Sequence, residues 1–351
     1  MKHFGPICGI IAAAAMPAIL TGCGPAAYAP GSLSAAAAHG EISLDAAKPE
    51  GSFWEVEPGI RLYHFSRGTG APVLVLHGGP GIASDDPWPG LGPLEKSHTF
   101  LYYHQRGCGK STRPIDRFAS KSYPRNMEAL TKALGIRAQL ADVERIRGML
   151  GVERLTILGH SFGGFLAAMY AAEFPQNVER LVLAAPADLL RFPPPDGGLY
   201  ERIRQLLPAE SRPACQVWLG RFFDFGSVFQ RSEADLSALN AGFFPFWQQA
   251  EAALQPTRGA SQASDPALVG GWVQQAAFFS MGRKYDHRKA LRRVSAPVLV
   301  LTGDRDPAGA ASVEDYRSFA DVRFQTLPGS GHFLQLDRTD FPRIVAEFLG
   351  G

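Results

Sequence analysis

Short apolar runs alternate along this chain with segments whose apolar residues recur at helical spacing. From Phe53 the pattern is strand-like, and Ile60 to Phe65 alternates as a half-buried strand does. Val73-Leu74-Val75-Leu76 is continuously apolar and ends at Gly and Pro, as a strand buried on both faces does. Thr99 to Tyr103, Leu155 to Leu158 and Leu181 to Ala184 are further strands. Between them, helical spacing runs from about Met127 to Leu150 with Gly151 as a stop, and again from Phe165 to Phe174 before Pro175. From about Pro186 to Leu291 the alternation ceases and only helical, aromatic-rich segments remain. It resumes with a strand at Val298 to Leu301, a helix near Val313 to Phe319, a strand at Val322 to Leu327 and a helix at Phe341 to Leu349. This order predicts a doubly wound, mostly parallel α/β sheet with an inserted helical lid. The core spans residues 51–185 and 292–351, and the lid 186–291.

The N-terminus departs from this pattern. Lys2 precedes an apolar, Ala-rich stretch from Ile7 to Leu20, too short for a permanent bilayer span but suited to a signal peptide. Leu20-Thr21-Gly22-Cys23 resembles a bacterial lipobox, which implies cleavage before Cys23 and lipidation of that residue. Gly24 next to it implies, by the same resemblance, the outer membrane, facing periplasm or cell surface. The alternative is a soluble secreted or periplasmic protein cleaved near Ala27 to Ala29. Residues 24–50, rich in small residues and Pro, are expected to form a flexible tether.

Composition narrows the function by exclusion. Thirty-five basic against 33 acidic residues give a net charge of +2, too weak and scattered for a nucleic-acid partner. Of four cysteines only Cys108 and Cys215 lie in the body, far apart, and nothing in their spacing demands a disulfide. No Cys/His cluster has metal-ligand spacing, and no cofactor motif is present.

The chemistry lies in three loops, each after a predicted strand. Gly159-His160-Ser161-Phe162-Gly163 sits between a strand and a helix, the setting of a nucleophile elbow. A nucleophilic serine needs a base, and the base an orienting carboxylate. Gly303-Asp304-Arg305-Asp306-Pro307 and Gly329-Ser330-Gly331-His332-Phe333 follow later strands in the chain order Ser, Asp, His. His332 is the expected base. Asp306 and Asp304 compete for the acid. The backbone N–H of Phe162 and one from His77-Gly78-Gly79-Pro80-Gly81 are the expected oxyanion donors, Gly79 before Gly78. His77 is expected to hold its loop by hydrogen bonds.

His77-Gly78-Gly79-Pro80-Gly81, Gln105-Arg106-Gly107-Cys108-Gly109-Lys110-Ser111 and the serine elbow together resemble the proline iminopeptidase family of the α/β-hydrolase superfamily. That resemblance spans Phe53 to Ala185 and Pro297 to the end. It implies an α/β-hydrolase fold, the triad Ser161, Asp306 and His332 with Asp306 at the third position after the glycine, and release of N-terminal proline from small peptides. Two positions depart from the family pattern: His104 stands where Asp is usual, and Phe162 where Trp is common. The family's lid segment that binds the substrate amine is not found. Glu201, Glu210, Glu233 and Glu251 are lid acids by location only. The lid aromatics, among them Phe222, Phe223, Phe225, Trp247 and Phe278, are expected chiefly to fill the lid, with some forming an apolar pocket over Ser161. The expected activity is therefore an exopeptidase for N-terminal proline or a similar small apolar residue. Carboxylic-ester, thioester or lactone hydrolysis by the same triad is the alternative. A complete triad argues against a non-catalytic binding protein, and a serine nucleophile against epoxide or haloalkane chemistry.

Overall fold

The computed structural model describes residues 27–256, 261 and 265–350. The expected signal peptide, residues 1–23 with Cys23, lies outside these described residues. Strands occur at β1 (Lys48–Glu50), β2 (Phe53–Glu57), β3 (Ile60–Gly68), β4 (Ala71–Leu76), β5 (His98–Tyr103), β6 (Leu155–His160), β7 (Val178–Ala184), β8 (Arg191–Phe192), β9 (Tyr285–Asp286), β10 (Val298–Gly303) and β11 (Val322–Leu327). All but β8 and β9 form a nine-stranded sheet in the order β1-β2-β3-β5-β4-β6-β7-β10-β11. β1, β2 and β3 run antiparallel to their neighbours, and the strands from β5 to β11 in that order are parallel.

Helices follow as α1 (Ser32–Ala38), α2 (Tyr123–Leu134), α3 (Ile136–Leu150), α4 (Phe162–Glu173), α5 (Gly198–Leu206), α6 (Arg212–Phe222), α7 (Glu233–Ala241), α8 (Phe244–Leu254), α9 (Trp272–Met281), α10 (Arg288–Leu291), α11 (Leu334–Asp337) and α12 (Phe341–Leu349). Successive residues of a strand face opposite sides, so the continuous apolar runs feed two cores at once. Leu74, Leu76, Ile157 and Val300 face Ile146, Phe165 and Tyr170 of α3 and α4. Val73, Val75, Leu158 and Leu299 face Phe341, Ile344 and Val345 of α12. Helices α5 to α9 form the lid, and Trp218, Phe222, Leu236, Trp272 and Phe279 join α2 residues Met127, Leu130 and Leu134 in one apolar cluster.

Three local expectations need correcting. The helix read as continuous from Met127 to Leu150 breaks at Gly135, whose ψ of 175° is extended; Ser280 of the lid accepts the Ile136 N–H at that break, 3.2 Å away. The segment near Val313 to Phe319 is a 3-10 helix, Ala310–Ser318. The lid is not purely helical: β8 and β9 pair antiparallel where the chain enters and leaves it. Such two-residue strands are too short to show a period.

The tether is the larger correction, because Tyr28, Leu33, Ala36 and Ala47 are buried against the body. Glu173, at the end of α4 and buried, accepts hydrogen bonds from Tyr28 Oη (2.8 Å), Gly31 N (2.8 Å), Ser34 N (2.7 Å) and Ser34 Oγ (3.0 Å). Leu33 is fully buried among the core residues of that face. A buried carboxylate with four donors strongly favours one conformation of the strap that supplies them.

Candidate active site

Strand β6 delivers Ser161 to the carboxyl edge of the sheet. Its backbone takes φ 55° and ψ −120°, a region that costs a non-glycine residue free energy unless the surroundings impose it. The surroundings here do so. Ser161 N donates to Ala184 O at 3.0 Å, and Ser161 O accepts from Gly164 N, Phe165 N and Ala187 N at 3.0, 3.2 and 2.9 Å. The turn also needs its glycines: a Cβ on Gly159 would lie 2.7 Å from the Gly163 carbonyl carbon, and one on Gly163 2.6 Å from that of Leu76. Phe162 opens α4, so its N–H has no acceptor within the helix.

The acid and histidine loops meet beside the serine. Asp306 Oδ2 lies 2.8 Å from His332 Nδ1 and Oδ1 accepts the Ala308 N–H at 2.8 Å. Both partner side chains are almost wholly buried, so this hydrogen bond is shielded from water and fixes the ring. The competing Asp304 is elsewhere, accepting the Gly329 N–H at 2.7 Å and so shaping the turn that leads to His332. His332 is steadied further by His160, whose Nε2 donates to the His332 carbonyl at 2.9 Å, and by Trp247, edge-on at 4.8 Å. Burial, followed by the neighbouring His332, lowers the His160 pKa to about 3, which keeps that ring neutral. Sequence reasoning passed over His160 as the variable residue of the elbow.

The glycine loop after β4 is held from below. His77 Nδ1 donates to Gly78 O at 2.9 Å, while Nε2 accepts the Gln105 N–H at 3.0 Å. That assignment requires a neutral ring, and burial lowers the His77 pKa to about 4. Gln105 Nε2 returns a bond to His77 O at 2.9 Å. Arg106, next in the chain, is buried and clamped by Asp142 of α3, Nε to Oδ2 at 2.6 Å and Nη2 to Oδ1 at 2.5 Å. The Gln-Arg-Gly motif therefore ties the glycine loop to the helical layer. His104 has a loop-closing role, its Nδ1 accepting the Lys110 N–H at 2.9 Å. Cys108 and Cys215 are both buried, and no disulfide joins them.

Ser161, His332 and Gly79 line one cavity of about 150 Å³. Lid aromatics Tyr200, Phe223, Phe225, Trp247 and Phe278 roof it, whereas Phe222, Trp272 and Phe279 fill the lid interior. None of the four lid glutamates reaches the cavity. Glu233, for example, caps α9 by accepting from Gly271 N and Trp272 N at 2.7 Å each. Among the described residues, the charged ones on the wall are Asp188, just past β7, and Arg202 of α5. Neither was singled out from sequence, although a carboxylate at the end of a parallel strand carries a positional signal.

The family model described as alpha/beta hydrolase fold matches residues 71–339. A proline iminopeptidase of Heyndrickxia coagulans is 36% identical over 286 residues, covering 80% of this chain and 91% of that protein. Among solved structures, a proline iminopeptidase of Mycobacterium smegmatis superposes with a TM-score of 0.52 at 22% identity, covering 87% of this chain and 97% of its own. The esterase EaEST from Exiguobacterium antarcticum gives 0.55 at 21% identity, covering 86% and 100%. The two structures share the fold with this chain.

Proposed function

The chain belongs to the alpha/beta hydrolase family, and on that premise we propose that it is a serine exopeptidase releasing N-terminal proline or a similar small apolar residue. The observation that carries the reading is that His332, bonded to Asp306, shares a cavity wall with Ser161. With Nδ1 committed to Asp306, Nε2 is the nitrogen left to take the Ser161 proton. Ser161 Oγ attacks the substrate carbonyl, and the resulting oxyanion accepts from the N–H groups of Phe162 and Gly79. His332 passes its proton to the departing amine, leaving an acyl-serine. Water, deprotonated by His332, then attacks that ester, and the proton returns to Ser161 as the free residue leaves. The 36% identical relative that carries the name proline iminopeptidase supports the substrate class. So does the small apolar cavity.

One observation favours a second reading, hydrolysis of a carboxylic ester, thioester or lactone. The cavity wall is apolar apart from a few groups, and its carboxylate is already paired with an arginine. Proline p-nitroanilide and p-nitrophenyl esters, assayed on the chain lacking residues 1–23, separate the two. Amide cleavage that needs a free amine supports the exopeptidase; ester cleavage alone supports the alternative.

We also propose a lipid anchor at Cys23, supported by the apolar stretch and the Leu20-Thr21-Gly22-Cys23 sequence. Only Gly24 to Ala27 separate Cys23 from the docked Tyr28, a reach of at most roughly 18 Å. Ala27 lies against Gly282, a cavity-lining residue, so the anchor would leave the body beside the cavity. Cys23→Ala should move the protein from membrane to soluble fractions; unchanged fractionation would refute the anchor.

A further inference from the structure

Among the described residues, Asp188 is the one carboxylate that lines the cavity. Its backbone is fixed beside the nucleophile: Ala187 N donates to Ser161 O at 2.9 Å, and Tyr316 Oη donates to Ala187 O at 2.7 Å. Its side chain is only 7% exposed. Arg202 Nη1 and Nη2 both reach the same oxygen, Oδ2, at 3.1 Å. Among the described residues Oδ1 takes no hydrogen bond. Asp196 Oδ2 also binds Arg202 Nη1, at 2.5 Å. Two carboxylates thus share one guanidinium, which leaves one negative charge uncompensated. The neighbouring Asp315 adds no demand on Arg202, because Arg191 and Arg288 hold it at 2.7 and 3.4 Å.

We propose that Asp188 is the specificity residue of this cavity, its free Oδ1 receiving the protonated α-amine of the substrate's N-terminal residue. This rests on the exopeptidase reading above. A buried ammonium requires a paired carboxylate, and none of the lid glutamates lines the cavity. The amine and the scissile carbonyl of an N-terminal residue are separated by a single carbon. The carboxylate that binds the one and the serine that attacks the other must therefore be neighbours, and Asp188 follows Ala187, whose N–H bonds Ser161 O. Burial raises the Asp188 pKa despite Arg202, so the carboxylate gains from a second cation. The arginine then serves to hold Asp188, since both its contacts fall on Oδ2 and neither on Oδ1. Selectivity for a free N-terminus follows: an acylated amine brings no charge and leaves Oδ1 desolvated without a partner.

The test uses pyrrolidine, a cation at pH 8, and uncharged cyclopentanol as competitive inhibitors of p-nitrophenyl acetate hydrolysis. In the native protein pyrrolidine should inhibit at least about tenfold more strongly, the scale of a charge-assisted hydrogen bond. Asp188→Asn should erase that difference and lower the ratio of proline p-nitroanilide to ester turnover by a similar factor, with Asp188→Glu restoring part of it. Equal inhibition by the two rings in the native protein overturns the proposal even if the variant fails to fold. Equal loss of amide and ester turnover in Asp188→Asn, with the pyrrolidine preference intact, overturns it as well. If native protein cleaves no prolyl amide, the exopeptidase reading fails; a pyrrolidine preference that Asp188→Asn removes still establishes the amine site.

Discussion

Gly163→Ala is the smallest change that should disable this site without touching a reacting group. A Cβ there would sit 2.6 Å from the Leu76 carbonyl carbon, 2.7 Å from His77 O and closer still to Leu76 O. The nearest atom, Leu76 O, lies well inside an ordinary contact of about 3.2–3.5 Å, so the elbow and the end of β4 must part by more than about 1 Å. Both neighbours are backbone, and neither can rotate away. The separation opens the gap between Ser161 and the glycine loop, across which the proposed oxyanion donors, the Phe162 and Gly79 N–H groups, must act together. Misplacement on this scale costs about 100-fold in rate, and overpacking costs about 1–3 kcal/mol of stability. The assay is kcat/KM for p-nitrophenyl acetate alongside thermal melting. A variant that melts a few degrees lower and loses about two orders of magnitude in kcat fits the account. A kcat within threefold of the native value would show that the two elements do not jointly form the oxyanion site.

Other perturbations probe separate parts. Asp306→Asn should lower kcat by about 10⁴, as loss of the orienting acid does in other triads, whereas Asp304→Asn, which loosens only the Gly329 turn, should cost far less; a reversed ranking refutes the acid assignment. Asp142→Ala leaves the buried Arg106 with only its more distant carboxylate partner, Glu57, Nη2 to Oε1 at 3.2 Å, and should destabilise the fold by about 3 kcal/mol in urea unfolding; no change would mean that Glu57 alone suffices to hold Arg106. Glu173→Gln weakens the acceptor of all four strap bonds, so limited proteolysis should cut within residues 28–47 sooner than in the native protein. Unchanged cleavage would remove Glu173 as the strap's anchor. His160 and His77 are buried with pKa values lowered to about 3 and 4, whereas the unfolded chain takes protons near pH 6.5. Their contribution to stability is present above pH 6.5 and lost as pH falls towards 4, so the melting temperature should drop over that range; a pH-independent melt refutes the assigned neutral rings.

The fold was legible where side chains have one place to go. Val73 to Leu76 and Val298 to Leu301 are apolar without interruption because each strand feeds both cores, and the period told strand from helix. The three chemical loops were legible for a related reason: the edge of a parallel sheet is the one place where loops converge. What escaped notice depends on partners distant in sequence. Ser280 holds the Ile136 N–H at the α2–α3 break from 144 positions away. The strap was read as a tether because its own composition offers little to bury; its docking depends on Glu173, a core carboxylate that composition of the strap cannot reveal. Asp188 was missed for the same reason, since it acquires its meaning from Arg202 on a lid helix and from the cavity between them.

The central claim is that Ser161, activated by His332 and Asp306, is the nucleophile. A fluorophosphonate forms a stable adduct only with an activated serine, so intact-protein and peptide mass spectrometry read the claim directly. The account predicts a single adduct on Ser161, absent in Ser161→Ala and far slower in His332→Ala. An adduct on another residue, or labelling of Ser161 at the same rate without His332, would contradict it.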